Sequence, residues 1–248
     1  MTAKSACMLL SYSVLAAVLF AGCNRSKPEQ AAADTNQPAN AADSSPSPAS
    51  PANDTRPLIV AFGDSLTAGY GAPTDQSYPA YLQRDLNARG YDYRVMNAGI
   101  SGNTSKDGVV RVLQIAAMHP AVVIVAFGGN DGLRGIPILD TEMNLATVIS
   151  TLQDAHANVI LGGITLPPNY GKDYIAKFNA MYSKQAKLYS VPLLPFILKG
   201  AYGVPGDIQS DGIHATGKGN QQVAKNFLPL LLPILHKSPQ HPANRAQP

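Results

Sequence analysis

Four short polar stretches carry side chains that could together do acyl transfer. Gly63-Asp64-Ser65-Leu66 follows at once on an apolar run, Leu58-Ile59-Val60-Ala61-Phe62. A Ser at the point where a buried strand breaks into a turn is held on a rigid support at a sheet end, where α/β folds present a nucleophile. Ser attacks poorly until a base takes its proton, and His is the side chain whose ordinary pKa lies nearest neutrality. Of the 5 His, His236 and His241 sit in or beside the C-terminal tail, His119 precedes Pro120, and His156 closes a helical stretch. His214 alone occupies a Gly-flanked loop after the last strand. Asp211, in the same loop, can fold back to bond its far ring nitrogen, fixing the tautomer and stabilising the imidazolium. An oxyanion needs donors fixed in advance, and the N–H groups of Ser65 and Gly99 with the Asn130 amide fit. Each stretch alone also reads as turn chemistry. The elements around them must decide whether they meet.

Those elements alternate. Apolar runs at 58–62, 91–96, 121–127, 158–164 and 191–195 read as strands, and 121–127 (AVVIVAF) is apolar enough to be buried on both faces. Between them lie helical patterns. One covers 78–89, stopped by Gly90. The next is capped by Thr104 or Ser105, with Val109, Val112, Leu113 and Ala116 as its stripe. Another is capped by Asp140, with Leu145, Val148, Ile149 and Leu152 inward. A fourth covers 174–189, with Tyr174, Ile175, Phe178, Met181 and Tyr182 inward, and a last begins near Thr216, where Pro229 and Pro233 predict a kink or an early end. Alternation predicts a doubly wound, flavodoxin-like parallel sheet with helices on both faces, in the order 2-1-3-4-5. Ser65, the loop 97–104, Asn130 and the loop holding Asp211 and His214 then all follow strands at one sheet edge. Asp64 and Asp131 read as local hydrogen-bonding acids, since neither has a base to orient.

Composition limits the rest. The 2 Cys, Cys7 and Cys23, precede the domain, which therefore holds no thiol nucleophile, disulfide or Cys-bound zinc. Lys4, the apolar run 8–20 and Ala21-Gly22-Cys23 have the plan of a secretory signal. The run is too short to span a bilayer comfortably. The expected organisation is a signal peptide at 1–22, a lipidated Cys23 with a tether to residue 56, a domain at 57–236 and a disordered tail at 237–248. Residues 24–56 contain no Val, Ile, Leu, Met, Phe or Tyr, so they cannot bury enough surface to order. As a coil this stretch reaches on the order of 30 Å. The domain carries 13 Lys+Arg against 12 Asp+Glu with no basic run, which argues against a nucleic-acid partner.

Gly63-Asp64-Ser65-Leu66, Gly99, Gly128-Gly129-Asn130-Asp131 and Asp211-Gly212-Ile213-His214 together resemble the four ordered blocks of the SGNH (GDSL) hydrolases. Ile100-Ser101-Gly102, Gly129-Asn130-Asp131-Gly132-Leu133-Arg134-Gly135 and Leu166-Pro167-Pro168-Asn169-Tyr170-Gly171 look similar to the periplasmic thioesterase/arylesterase/lysophospholipase branch. The resemblance implies Ser65 as nucleophile, His214 as base, Asp211 as its orienter, and Ser65 N–H, Gly99 N–H and Asn130 as the oxyanion hole, with no metal and no cofactor. Asn103 stands where that branch often has Asp. Ala-Gly-Cys23 resembles the lipobox of bacterial lipoproteins, which implies a lipid anchor on Cys23 and a place on the periplasmic side of a bacterial membrane. Asn24 after the Cys leans to the outer membrane. The expected activity is hydrolysis of small carboxylic or thiol esters: aryl esters, short to medium acyl esters or lysophospholipids. Loss of activity is expected below neutral pH, as His214 takes a proton. A glycan O-acetyl esterase, an inert tethered binding lipoprotein and, more remotely, a metal hydrolase built on Asp64, Asp131 and His214 remain alternatives.

Overall fold

The computed structural model describes residues 54–237. The expected signal peptide, Cys23, the tether up to residue 53 and the tail from residue 238 lie outside the described residues. None of the described helices is long and apolar enough to cross a membrane.

Five parallel strands form one sheet in the order β2-β1-β3-β4-β5, as the alternation predicts. They are β1 (Leu58–Gly63), β2 (Arg94–Gly99), β3 (Val122–Ala126), β4 (Asn158–Gly162) and β5 (Leu193–Leu194). β1 and β3 are buried along their whole length, which is why they read as unbroken apolar runs. β2 starts at Arg94, not at residue 91, because its first ladder partner is Leu58, where β1 begins. β5 pairs through two residues only, Leu193 and Leu194 opposite Leu161 and Gly162.

Helices α2 (Tyr78–Ala88) and α7 (Gly217–Leu231) pack together, as do α3 (Ser105–Ala116), α5 (Ile138–Asp154) and α6 (Lys172–Leu188) in sequence. Two short helices, α1 (Ser65–Ala68) and α4 (Gly129–Leu133), lie where the sequence reads as loop and turn. Thr104 caps α3 in a reciprocal box with Asp107. The buried face of α3 is Ser105, Gly108, Val112 and Ile115, while Leu113 is 71% exposed, so the expected stripe is rotated. Gly108 sets this rotation. A Cβ there would stand 3.2 Å from the Phe127 ring, so this side of the helix lies flush against the core. The cap of α5 is Pro137, and Asp140 falls in its first turn. In α7 the chain passes through Pro229 and ends at Leu231, two residues before Pro233, so the expected early end falls at the second proline and not at the first.

The two ends of the described chain converge. The Arg56 guanidinium donates to Tyr93 O, Arg94 Nε donates to Arg56 O, and the His236 N–H donates to Tyr93 Oη at 3.2 Å. Residues 54–56 thus belong to the folded body, and Arg56 is ion-paired with Asp54.

Candidate active site

The nucleophile candidate sits on the first turn of α1, directly beyond β1. Asp64 is the cap, its Oδ1 accepting the Leu66 N–H at 3.0 Å. Ser65 occupies the first helical position, where a backbone N–H has no acceptor within its own helix. Gly63 makes the tight approach possible: a Cβ would fall 2.2 Å from Thr67 Oγ1 and 2.5 Å from Ala126 O.

The loop before α7 brings up the other two groups. Ile208 and Ala215 form an antiparallel bridge, and the Gln209 N–H donates to His214 O at 2.8 Å, closing a tight loop. Inside it, Asp211 Oδ1 accepts the N–H groups of Ile213 (2.9 Å) and His214 (3.0 Å). Asp211 Oδ2 lies 2.6 Å from His214 Nδ1, and His214 Nε2 lies 2.8 Å from Ser65 Oγ. Burial pushes the Asp211 carboxyl up, but bonds from the His214 N–H, the His214 ring and the Ile213 N–H outweigh it and hold it down at about 2. An ionised carboxylate only accepts, so Nδ1 carries the hydrogen toward Asp211. Nε2 then offers its lone pair to the Ser65 hydroxyl.

Two of the three expected oxyanion donors belong to residues that line the cavity at this point. Ser65 N–H is one. Asn130, on α4 beyond β3, lines the same cavity, and its Nδ2 gives one hydrogen to Asn103 O at 2.9 Å. An amide nitrogen carries two, so the second is left for a ligand in an orientation fixed by the first. Gly99 does not join them. Its N–H donates to Asn97 Oδ1 at 2.9 Å, and it is absent from the cavity wall. The glycine in that position is Gly102, on the same loop, which lines the cavity with φ +81° and whose N–H has no partner among the described residues. The sequence offers both glycines within four residues. Only the end of the β1–β2 ladder, which runs through the pair Gly63–Gly99, shows which one remains in the sheet.

Asp131 is fully buried and receives the Ser105 N–H at 2.9 Å together with the hydroxyls of Ser105 and Thr141. It therefore ties α4 to α3 and α5. Asp64 caps α1 and His214 is engaged at both nitrogens, so the side chains considered for a metal each serve another bond.

Tyr70, which the sequence reading passed over, lies on the His214 ring with centroids 4.8 Å apart. Behind these groups opens a cavity of about 860 Å³, walled by Leu133, Ile164, Leu166, Ile175, Phe196 and Leu198 among others. It is large enough for a drug-sized ligand.

A hydroxyl aligned to pass its proton to an imidazole, at the carboxyl edge of a doubly wound sheet, defines a serine hydrolase of the α/β type. Residues 61–222 match the model of the GDSL-like Lipase/Acylhydrolase family, and the chain belongs to that family. It is 42% identical over 178 residues to the esterase TesA of Pseudomonas aeruginosa, covering 71% of this chain and 89% of that one. It is 38% identical over 168 residues to an arylesterase of Vibrio mimicus, covering 67% and 84%. Among solved structures, a crystal structure of TesA superimposes with a TM-score of 0.70 at 42% identity, covering 72% of this chain and 99% of that one. This kinship makes the protein a serine esterase.

Proposed function

We propose that the protein hydrolyses small carboxylic or thiol esters through an acyl-enzyme, with Ser65, His214 and Asp211 in the roles of nucleophile, base and orienting acid. The observation that carries this is the unbroken line Asp211–His214–Ser65, its two bonds at 2.6 and 2.8 Å, opening on an apolar cavity. Ser65 Oγ attacks the ester carbonyl as His214 Nε2 takes its proton. The carbonyl oxygen becomes an oxyanion facing Ser65 N–H, Gly102 N–H and the free hydrogen of Asn130. The tetrahedral centre then collapses, the bond to the leaving oxygen or sulfur breaks, and the proton on Nε2 passes to that atom. Water repeats the sequence on the acyl-enzyme and releases the acid, restoring the Ser65 hydroxyl.

The apolar wall supports an acyl chain as the group held in the cavity, so short to medium acyl esters, aryl esters and lysophospholipids are the substrates proposed. We further propose that the chain is exported and held on the periplasmic side of a bacterial membrane, in the outer membrane, by lipid on Cys23. The apolar run ending in Ala-Gly-Cys supports this. Cys23→Ala should then release the protein from the membrane fraction.

The test of the catalytic reading is hydrolysis of p-nitrophenyl esters from acetate to palmitate by the full chain, beside Ser65→Ala and His214→Ala. Both substitutions should lower kcat by three orders of magnitude or more. A Ser65→Ala protein that hydrolyses like wild type would remove the nucleophile assignment.

A further inference from the structure

We infer that Tyr70 forms the leaving-group subsite of this esterase, a face for planar aromatic alcohols. The inference rests on the ester-hydrolase reading above and adds the half of the substrate that the apolar cavity does not explain. The chemistry itself fixes where the leaving group must lie. When the bond to the leaving oxygen breaks, the proton on His214 Nε2 goes to that oxygen, so the oxygen must come within hydrogen-bond reach of Nε2. Whatever the oxygen carries therefore lies beside the imidazole. The residue beside the imidazole is Tyr70. Its ring centroid is 4.8 Å from that of His214, the planes are tilted by 48°, and it forms part of the cavity wall.

Tyr70 is also 54% exposed, so much of its ring is open to a ligand in the cavity. Burial does not account for its position, but its backbone is firmly held. The Tyr70 N–H donates to Ser65 O at 3.0 Å, which ties it to the nucleophile's own residue. Gln209 Nε2 donates to Tyr70 O at 2.7 Å and to Ala215 O at 2.9 Å, joining the Tyr70 loop to the loop of His214. Gly69 and Gly71 flank it at φ +80° and +74°, and a Cβ on Gly71 would collide with the Gln209 side chain at 2.2 Å. The chain thus anchors the backbone that carries an aromatic ring beside the His214 imidazole while leaving much of that ring bare. A ring of this kind stacks on another ring through offset or edge contacts that add to simple burial. An alkyl alcohol in the same place gains burial alone.

The test compares two esters that share one acyl group, phenyl butyrate and ethyl butyrate, so that both pass through the same butyryl-enzyme. The full chain is measured beside Tyr70→Phe and Tyr70→Leu. Tyr70→Phe should keep the wild-type preference. Tyr70→Leu, which keeps apolar bulk but not the ring, should lose about tenfold in kcat/KM on phenyl butyrate and stay within about twofold on ethyl butyrate. Phenol should inhibit the wild type competitively and Tyr70→Leu correspondingly less, a readout that does not depend on turnover of an aryl ester. Equal losses on both esters would reduce Tyr70 to a packing partner of His214 and overturn the inference, as would no loss on either. Wild type inactive on both esters would instead strike the hydrolase reading itself, and the subsite with it.

Discussion

The side-chain amide of Asn130 is oriented by the main chain of Asn103: Nδ2 donates to Asn103 O at 2.9 Å. Asn103 is held in turn by Arg111, whose Nη1 donates to Asn103 Oδ1 at 2.8 Å while Nη2 reaches Ala98 O. The guanidinium also lies over the Phe62 ring, 4.9 Å from its centroid. One half-buried cation therefore fixes the loop that carries Gly102 and, through Asn103, the amide of Asn130. Losing an oxyanion donor outright costs about 10²–10³ in kcat, and loosening its support costs less. Arg111→Gln should lower kcat about tenfold while KM stays within about twofold. Arg111→Lys, which cannot reach both acceptors in a fork, should recover little of the loss. Steady-state kinetics on one p-nitrophenyl ester decide this, and a change confined to KM would count against it.

Gly99 and Gly102 should respond in opposite ways to the same substitution. A Cβ on Gly99 would stand 2.2 Å from Ala68 N and 2.6 Å from Thr67 C, backbone atoms that cannot swing aside. Gly99→Ala is expected to push α1 off β2 and to yield little soluble protein. A Cβ on Gly102 meets nothing closer than Arg134 Nη2 at 3.8 Å, so the cost there is the φ of +81° alone, about 1–2 kcal/mol. Gly102→Ala should fold, melt a few degrees lower, and lose activity as its N–H turns from the oxyanion. Expression yield, melting temperature and kcat for the pair separate the two roles.

Asp211→Asn should lower kcat by up to about 10⁴ and leave the melting temperature close to wild type. The Asn amide can present a hydrogen where the carboxylate presented a lone pair, which drives the imidazole to the tautomer with its hydrogen on Nε2. Ser65 would then face a donor. A kcat reduced by less than tenfold would show that His214 needs no orienting acid here.

Stability should carry the signature of Asp64. Burial pushes its carboxyl up to about 7, the Leu66 N–H pulls against this, and Asp131 adds to the rise. An unfolded Asp titrates near 3.9. Between the two values the folded chain holds a proton that the unfolded chain has released, so stability falls as pH rises. The contribution is complete below about pH 4 and gone above about pH 7. Asp64→Asn keeps an acceptor for the Leu66 N–H and cannot ionise. Its melting temperature should exceed wild type at pH 8, by up to about 4 kcal/mol of stability, and the gap should close toward pH 4. A gap of equal size at both pH values would mean that the carboxyl is not the cause.

Most of the fold was legible in the sequence because buried parallel strands leave an unmistakable trace. The runs at 58–62 and 121–127 proved to be two strands hidden on both sides, and the strand order agrees with that expected from alternation together with right-handed crossovers. The grouping of Ser65, Asn130, Asp211 and His214 followed from the same rule, since each comes after the carboxyl end of a strand. What escaped was set by contacts between distant residues. Nothing in the local pattern of α3 reveals that Gly108 meets Phe127, and the stripe was rotated accordingly. Gly99 and Gly102 look alike in sequence, and the strand pairing with Gly63 tells them apart. Tyr70 gave no signal because an exposed aromatic in a Gly-rich loop has no periodicity to break.

The meeting of both ends of the described chain at Tyr93 has a practical sequel. β1 begins with Leu58 beside that meeting point and ends at Gly63 beside the nucleophile, so its six residues set a separation of about 20 Å between the ends and the reacting groups. Arg56 and His236 could be spliced by a short peptide and the chain reopened on an exposed turn elsewhere. A circularly permuted enzyme made this way would keep its sheet order and its catalytic line, and the splice itself would serve for attachment to a bead or a carrier with the mouth of the cavity left clear.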